Sequence, residues 1–273
     1  MKKTLITLAL LATAPGLAQA DKLEELKEQG FARIAIANEP PFTAVAADGT
    51  VSGAAPDVAR EVFKRLGVPE VVASISEYGA MIPGLQARRH DAITAGLFMK
   101  PERCQAVAYS EPVLCDAEAF LLPKGNPKGF KSYADIAADP TATIGAPGGG
   151  TEEKLALEAG VPRDRVIVVP DGQSGLKMLQ DGRIDVYSLP VLSISDLMAK
   201  AADPNLEMFA PVVGAPVYCD GAAFRKEDAA LRDAFDVELA KMKESGEFAA
   251  IIEPYGFSAA AAMSTSRAQL CGE

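Results

Sequence analysis

The sequence predicts an α/β fold of two lobes, each a mixed β-sheet flanked by helices, joined by two crossover strands. Three observations predict it. Strand-like and helix-like segments alternate along nearly the whole chain. The stretch Cys115-Asp116-Ala117-Glu118-Ala119-Phe120 is echoed by Cys219-Asp220-Gly221-Ala222-Ala223-Phe224, as a pair of matching crossovers would be. Between the two, the alternation starts afresh, as a second lobe inserted within the first would require.

In chain order, Lys2 and Lys3 precede the apolar run Leu5–Ala14, and the segment closes on Ala18-Gln19-Ala20. This pattern is that of a secretory signal peptide, residues 1–20, too short in its apolar part to span a bilayer. The mature protein is expected to begin near Asp21 as a soluble exported chain. No Cys follows the cleavage point, which argues against a lipid anchor. Losing Lys2 and Lys3 takes the formal net charge from −10 to −12, a balance that disfavours nucleic acid and anionic membranes.

Leu23–Glu28 reads as a helix and Ala32–Ala37 as a buried strand, after which Pro40 and Pro41 should extend the backbone and place Glu39 and Phe42 in a loop. Pro56 opens a helix carrying Val58, Val62, Phe63 and Leu66. Val71–Ile75 is the next strand, with Tyr78 at its exit. A helix over Met81–Gln86 then returns the chain to the run Ala92–Leu97, which delivers Phe98 and Arg103. In open parallel sheets, ligands bind beyond the carboxyl ends of strands. Three strand exits therefore converge on Glu39, Phe42, Tyr78, Phe98 and Arg103. Each aromatic alone fits a core, and Arg103 alone fits a solvated helix end; their shared position argues for a site. The planar fork of Arg103 suits a carboxylate.

The second lobe reads as helix Lys131–Ala137, strand Ala142–Ala146, helix Glu152–Glu158, strand Val166–Val169, helix Ser174–Leu179 and strand Ile184–Ser188. Helices over Asp228–Glu244 and Phe248–Ile252 close the first lobe. The expected domains are thus 21–117 with 225–273, and 118–224, with hinges near 117–122 and 221–225. Within the inserted lobe, Gly148-Gly149-Gly150-Thr151 follows a strand and opens a helix that Thr151 should cap, leaving amides free for an anion. It lacks the lysine and spacing of nucleotide loops.

Composition excludes several chemistries. A hydrophobic fraction of 49% supports a large core. The single histidine, His90, lies between Arg89 and Asp91 and is expected in solvent, which leaves no Ser-His-Asp triad and no histidine-based metal site. Cys104, Cys115, Cys219 and Cys271 show no metal-binding spacing and should form two disulfides in an oxidising compartment. Three connectivities remain open; pairing Cys104 with Cys115 and Cys219 with Cys271 would tie a segment to the start of each crossover.

Taken together, Glu39-Pro40-Pro41-Phe42, Tyr78 to Leu85, Phe98 to Arg103, Gly149-Gly150-Thr151 and Gly182-Arg183-Ile184-Asp185 resemble the motifs of type II periplasmic solute-binding proteins of ABC importers, in their polar amino-acid cluster. The resemblance implies a periplasmic-binding-protein type II fold, a periplasmic location, an ABC permease in the inner membrane as partner, a monomer, no cofactor or metal and no catalysis. It also implies a binding set of Glu39, Phe42, Tyr78, Gly96, Phe98, Arg103, Gly150, Thr151, Leu189 and Pro190, with Arg103 on the ligand carboxylate, helped by backbone donors at Phe98 and Thr151. Two departures stand out. Glu39 replaces an aromatic, and Pro190 replaces the second-lobe Asp that holds an α-ammonium, so the acid has moved to the other lobe. Those departures are similar to the ectoine- and hydroxyectoine-binding members of the family, whose ligand is a small zwitterion with a ring amidinium and a carboxylate. The alternatives are a polar amino-acid binder and a periplasmic dehydratase of the same fold; against the latter, no second acid is expected to converge on Glu39.

Overall fold

The computed structural model describes residues 22–272. The expected signal peptide and its cleavage point lie outside them. Fourteen strands are described: β1 (Phe31–Ile36), β2 (Ala44–Val45), β3 (Val51–Ser52), β4 (Glu70–Ile75), β5 (Ala92–Ile93), β6 (Ala108–Tyr109), β7 (Cys115–Asp116), β8 (Glu118–Pro123), β9 (Ile144–Pro147), β10 (Val166–Val169), β11 (Val186–Pro190), β12 (Leu206–Phe209), β13 (Tyr218–Cys219) and β14 (Ala223–Phe224).

Ten of them build two five-stranded sheets of matching design, and the other four form the two-stranded ladders β2-β3 and β7-β13. The first has the order β4-β1-β5-β14-β6, with β1 parallel to β4 and β5, and β14 antiparallel to both its neighbours. The second has the order β10-β9-β11-β8-β12, with β9 parallel to β10 and β11, and β8 antiparallel to β11 and β12. Both sheets are thus mixed, as expected. Strands β1 and β11 read as near-continuous apolar runs because helices cover both faces of the parallel part.

In the first lobe, helices Ala54–Arg65, Ala229–Ser245 and Glu247–Ile252 lay Val62, Phe63, Phe235, Leu239 and Phe248 on Ile34 and Ile36. Burying each such side chain contributes about 1.5–3 kcal/mol. Met81, Leu85 and Tyr109 fill the opposite face. The second lobe is likewise packed on both faces, by Phe120, Ile136 and Ile144 on one side and Leu121, Leu176 and Tyr187 on the other. Helix ends follow local chemistry: Ser132 and Asp135 form a capping box, and Asp171 accepts from the Ser174 N–H.

The crossovers are β7 and β13, which pair antiparallel with Cys115 opposite Cys219. The second crossover ends earlier than the sequence suggests, because Ala223–Phe224 already lies in the first sheet. Four cysteines form two disulfides, but not in the expected pairs. Cys115 bonds Cys219, with Cα atoms 4.0 Å apart, and Cys104 bonds Cys271, 5.7 Å apart. Facing positions on the two-stranded ladder leave Cys115 no reach to the helix Pro101–Ala106, whereas the C-terminal helix Arg267–Cys271 packs directly on it.

His90 also departs from expectation. It is buried, with Nδ1 3.2 Å from the Ser74 hydroxyl, and burial holds its pKa below the ordinary value. The polar corner around it is internal because Asp91 is clamped by Arg33 Nε and Nη2 at 3.0 and 2.9 Å. Burial pushes that carboxyl up, but the Arg33 bonds win and hold it below its usual range.

Candidate functional site

The carboxyl ends of the parallel strands in both sheets point at each other across a cleft. After β1, Asn38 adopts a left-handed φ of 55°, and its Oδ1 accepts from the Val45 N–H at 2.9 Å. The prolines that follow turn the chain instead of extending it. The Pro40–Pro41 peptide is cis, and the Thr43 N–H closes the turn on the Glu39 carbonyl at 3.0 Å. This aims Glu39 into the cleft and sinks Phe42 against Phe98 and Phe257, edge-on at 5.9 and 4.7 Å. Gly96, at φ +76°, is required here, since a Cβ would stand 2.8 Å from the Phe42 ring.

The lobes are in contact. The Gly79 N–H donates to the Gly148 carbonyl at 3.2 Å, Ser193 Oγ donates to Glu39 Oε1 at 2.8 Å, and Lys154 pairs with Glu102. Gly149, at φ +73°, lies so near Gly79 that a Cβ would fall 2.4 Å from its backbone. Between the lobes remains a small cavity lined by Glu39, Phe42, Tyr78, Gly96, Phe98, Arg103, Gly150, Thr151, Glu152 and Pro190.

Arg103 sits on helix Pro101–Ala106 with its fork spread across the cleft: Nη1 donates to the Phe98 carbonyl at 2.8 Å and Nη2 to the Gly149 carbonyl at 2.9 Å. Thr151 does not cap its helix. Gly150 occupies that position, and the buried Thr151 hydroxyl has no hydrogen-bond partner among the described residues. A buried hydroxyl left unpaired is costly, so it stands ready for a ligand oxygen. Tyr78 places its hydroxyl 3.3 Å from Glu39 Oε2 and 3.0 Å from the Ala95 carbonyl. Phe98 stacks on Tyr218 at 5.7 Å with 19° between the rings.

Leu189 differs from the expected set. It is buried in the core of the second lobe, because neighbours on β11 point to opposite faces and Pro190 takes the cleft side. Three residues are additions. Glu152 stands in the first turn of its helix, where an acid also suits the helix dipole, and its side chain lines the cavity. Ser193 lies on helix Val191–Ala201, which the sequence reading lacks, and Tyr218 on the second crossover. The expectation that no second acid approaches Glu39 is thus overturned.

Burial pushes Glu39 up to about 8, with the Glu152 carboxyl across the cleft adding to it and the Ser193 and Tyr78 bonds only partly offsetting it. Burial also raises Glu152, against its own backbone N–H and Arg103. Burial with nearby Arg103 and Lys154 drops Lys100 to about 8. Across the closed cleft the carboxyls of Glu39 and Glu152 thus share one cavity with a single guanidinium, that of Arg103. Such a field suits a small molecule that carries both a cation and a carboxylate.

Residues 32–258 match the profile of the bacterial extracellular solute-binding proteins, family 3. The chain belongs to this family. A probable amino-acid ABC transporter periplasmic-binding protein of Sinorhizobium fredii is 36% identical over 247 residues, 88% of this chain and 82% of that protein. The cyclohexadienyl dehydratase of Pseudomonas aeruginosa is 28% identical over 185 residues, 67% of this chain and 68% of that enzyme. Among solved structures, EhuB in complex with hydroxyectoine is 86% identical, with a TM-score of 0.91 over 92% of this chain and 98% of that one. This family 3 chain is thus a solute-binding protein of an ABC importer, with the two-lobed fold of that class.

Proposed function

We propose that the protein captures ectoine or hydroxyectoine between its lobes and delivers it, as a monomer freed of residues 1–20, to an ABC permease in the inner membrane. One observation carries the reading: a single cavity sets Arg103 and the unpaired Thr151 hydroxyl against the carboxyls of Glu39 and Glu152, with Phe42, Tyr78 and Phe98 around them. The ligand carboxylate goes to Arg103 and Thr151. The ring amidinium goes to Glu39 and Glu152, with its delocalised face on the aromatic rings. The 86% identical EhuB, solved with hydroxyectoine, supports the same ligand class.

Pro190, where amino-acid binders of this family hold an α-ammonium, disfavours the rival ligand. A flexible ammonium would find its acids set for a flat cation. Calorimetric titration should give ectoine at least ~100-fold tighter than glutamine, arginine or glutamate, about 2.7 kcal/mol. An α-amino acid bound more tightly than ectoine would overturn the assignment.

The two facing carboxyls, together with the dehydratase relative, raise an enzymatic reading that sequence alone does not favour. We hold that the site binds without chemistry, since its polar groups are spent on clamping both ends of a zwitterion. Incubation with cyclohexadienyl acids should leave them unchanged; turnover would reverse this.

A further inference from the structure

Behind the cavity lies a carboxyl that the binding scheme does not use. Glu118, on β8, is 1% exposed, and among the described residues no donor reaches either of its oxygens. It stands directly across the antiparallel ladder from Pro190. Opposed residues on such a ladder share a face, so Glu118 looks toward the side on which Pro190 meets the cavity. Glu152, itself 4% exposed, lines that side, its Oε2 folded back toward the turn that opens its helix.

The charged and titratable groups around Glu118 come from every neighbouring element. They are Glu152 on helix Thr151–Glu158, Glu39 after β1, Asp116 on β7 and Lys100 before helix Pro101–Ala106, with the phenols of Tyr133 and Tyr218 also within its field. Three are carboxyls. Lys100 is the one cation of this set, and it sits 5.1 Å over the Tyr218 ring. An ionised Glu118 would be a buried anion without a donor, facing other anions. As the neutral acid it has one O–H to give, and a carboxylate such as that of Glu152 is able to accept it.

We propose that Glu118 is a positioning residue: a permanently protonated acid whose O–H holds the Glu152 carboxylate in the orientation that meets the ligand cation. Burial and the Glu152 carboxyl both push Glu118 well above the ordinary carboxylate range, in agreement with the geometry. Glu118 thereby keeps the second-lobe acid aimed without adding a second negative charge to the same wall.

The inference rests on the ectoine reading for its ligand, so the test has one arm that needs no ligand. Infrared spectra of the ligand-free wild type at neutral pH should contain the carbonyl stretch of a protonated carboxylic acid, shifted in heavy water. Glu118→Gln should remove one component of that absorption and leave the component that belongs to Glu39, which Glu39→Gln removes in turn. In the binding arm, Glu118→Gln, whose amide can still donate to Glu152, should stay within about threefold of wild type for ectoine, whereas Glu118→Leu should weaken binding about tenfold or more at an unchanged melting temperature. No acid carbonyl band in the wild type, a band that Glu118→Gln leaves undiminished, or equal affinities for the Leu variant and the wild type would each overturn the proposal. Should the wild type fail to bind ectoine, the ligand reading falls, while the infrared arm still decides the protonation of Glu118.

Discussion

At the level of single residues, the two ends of the zwitterion predict different sensitivities. Arg103→Ala and Glu39→Ala should each weaken ectoine binding by about 2–5 kcal/mol, roughly 30-fold to several thousand-fold, because each strands a buried opposite charge. Glu39→Gln should cost less than Ala, since the amide still accepts from Ser193 and fills the same space. Calorimetry on the three variants checks the order. Gly149→Ala tests closure. The methyl would collide with the Gly79 backbone only when the lobes meet, so ectoine should bind at least ~10-fold more weakly while the melting temperature of ligand-free protein falls only by the strain of a left-handed alanine. Much of this site was legible in the residues, because an arginine, a glutamate and three aromatics all followed strand exits. Glu152 was not, since an acid in a helix's first turn has a sufficient local reason to be there. His90 misled for the opposite reason: charged neighbours in sequence suggest water, but Arg33 and Lys22 arrive from other elements to satisfy Asp91 and bury the corner.

Among the elements, periodicity identified the long helices and the central strands because their apolar patterns extend over several turns or residues. It failed where an element is specified by its neighbours. Helix Val191–Ala201 follows a proline at the end of an apolar strand, with no polar break to mark the change of period. The strand Leu206–Phe209 exists only by pairing with β8. Disulfide pairing belongs to this scale as well, since only the fold brings helix Arg267–Cys271 beside Pro101–Ala106. Peptide mapping without reductant should recover Cys104 joined to Cys271 and Cys115 joined to Cys219. Replacing Cys271 by Ser should lower stability by about 2–4 kcal/mol in denaturant unfolding. A change below a few tenths would mean that the C-terminal helix is held by packing alone.

For the molecule as a whole, contacts divided between lobes mean that only the closed form makes them all, so saturating ectoine should compact the protein in small-angle scattering by rotation about the crossovers Cys115–Asp116 and Tyr218–Cys219. No compaction with binding proven independently would refute the clamp. The acids that face each other in the cleft add a further term. Closing the empty lobes takes Glu39 from water to a place where its pKa is about 8, against 4.5 for an ordinary glutamate. Between those values, ligand-free closure must draw a proton from solution, and each unit of rising pH disfavours it by about 1.4 kcal/mol. Ligand-free protein should therefore scatter as a more compact particle at pH 5 than at pH 8, and Glu39→Gln should reduce the difference to the part that Glu152 contributes. A bound amidinium supplies the missing positive charge and makes the proton unnecessary. The cargo is then the counter-ion of the closed state, so that at neutral pH the form an importer receives is seldom empty.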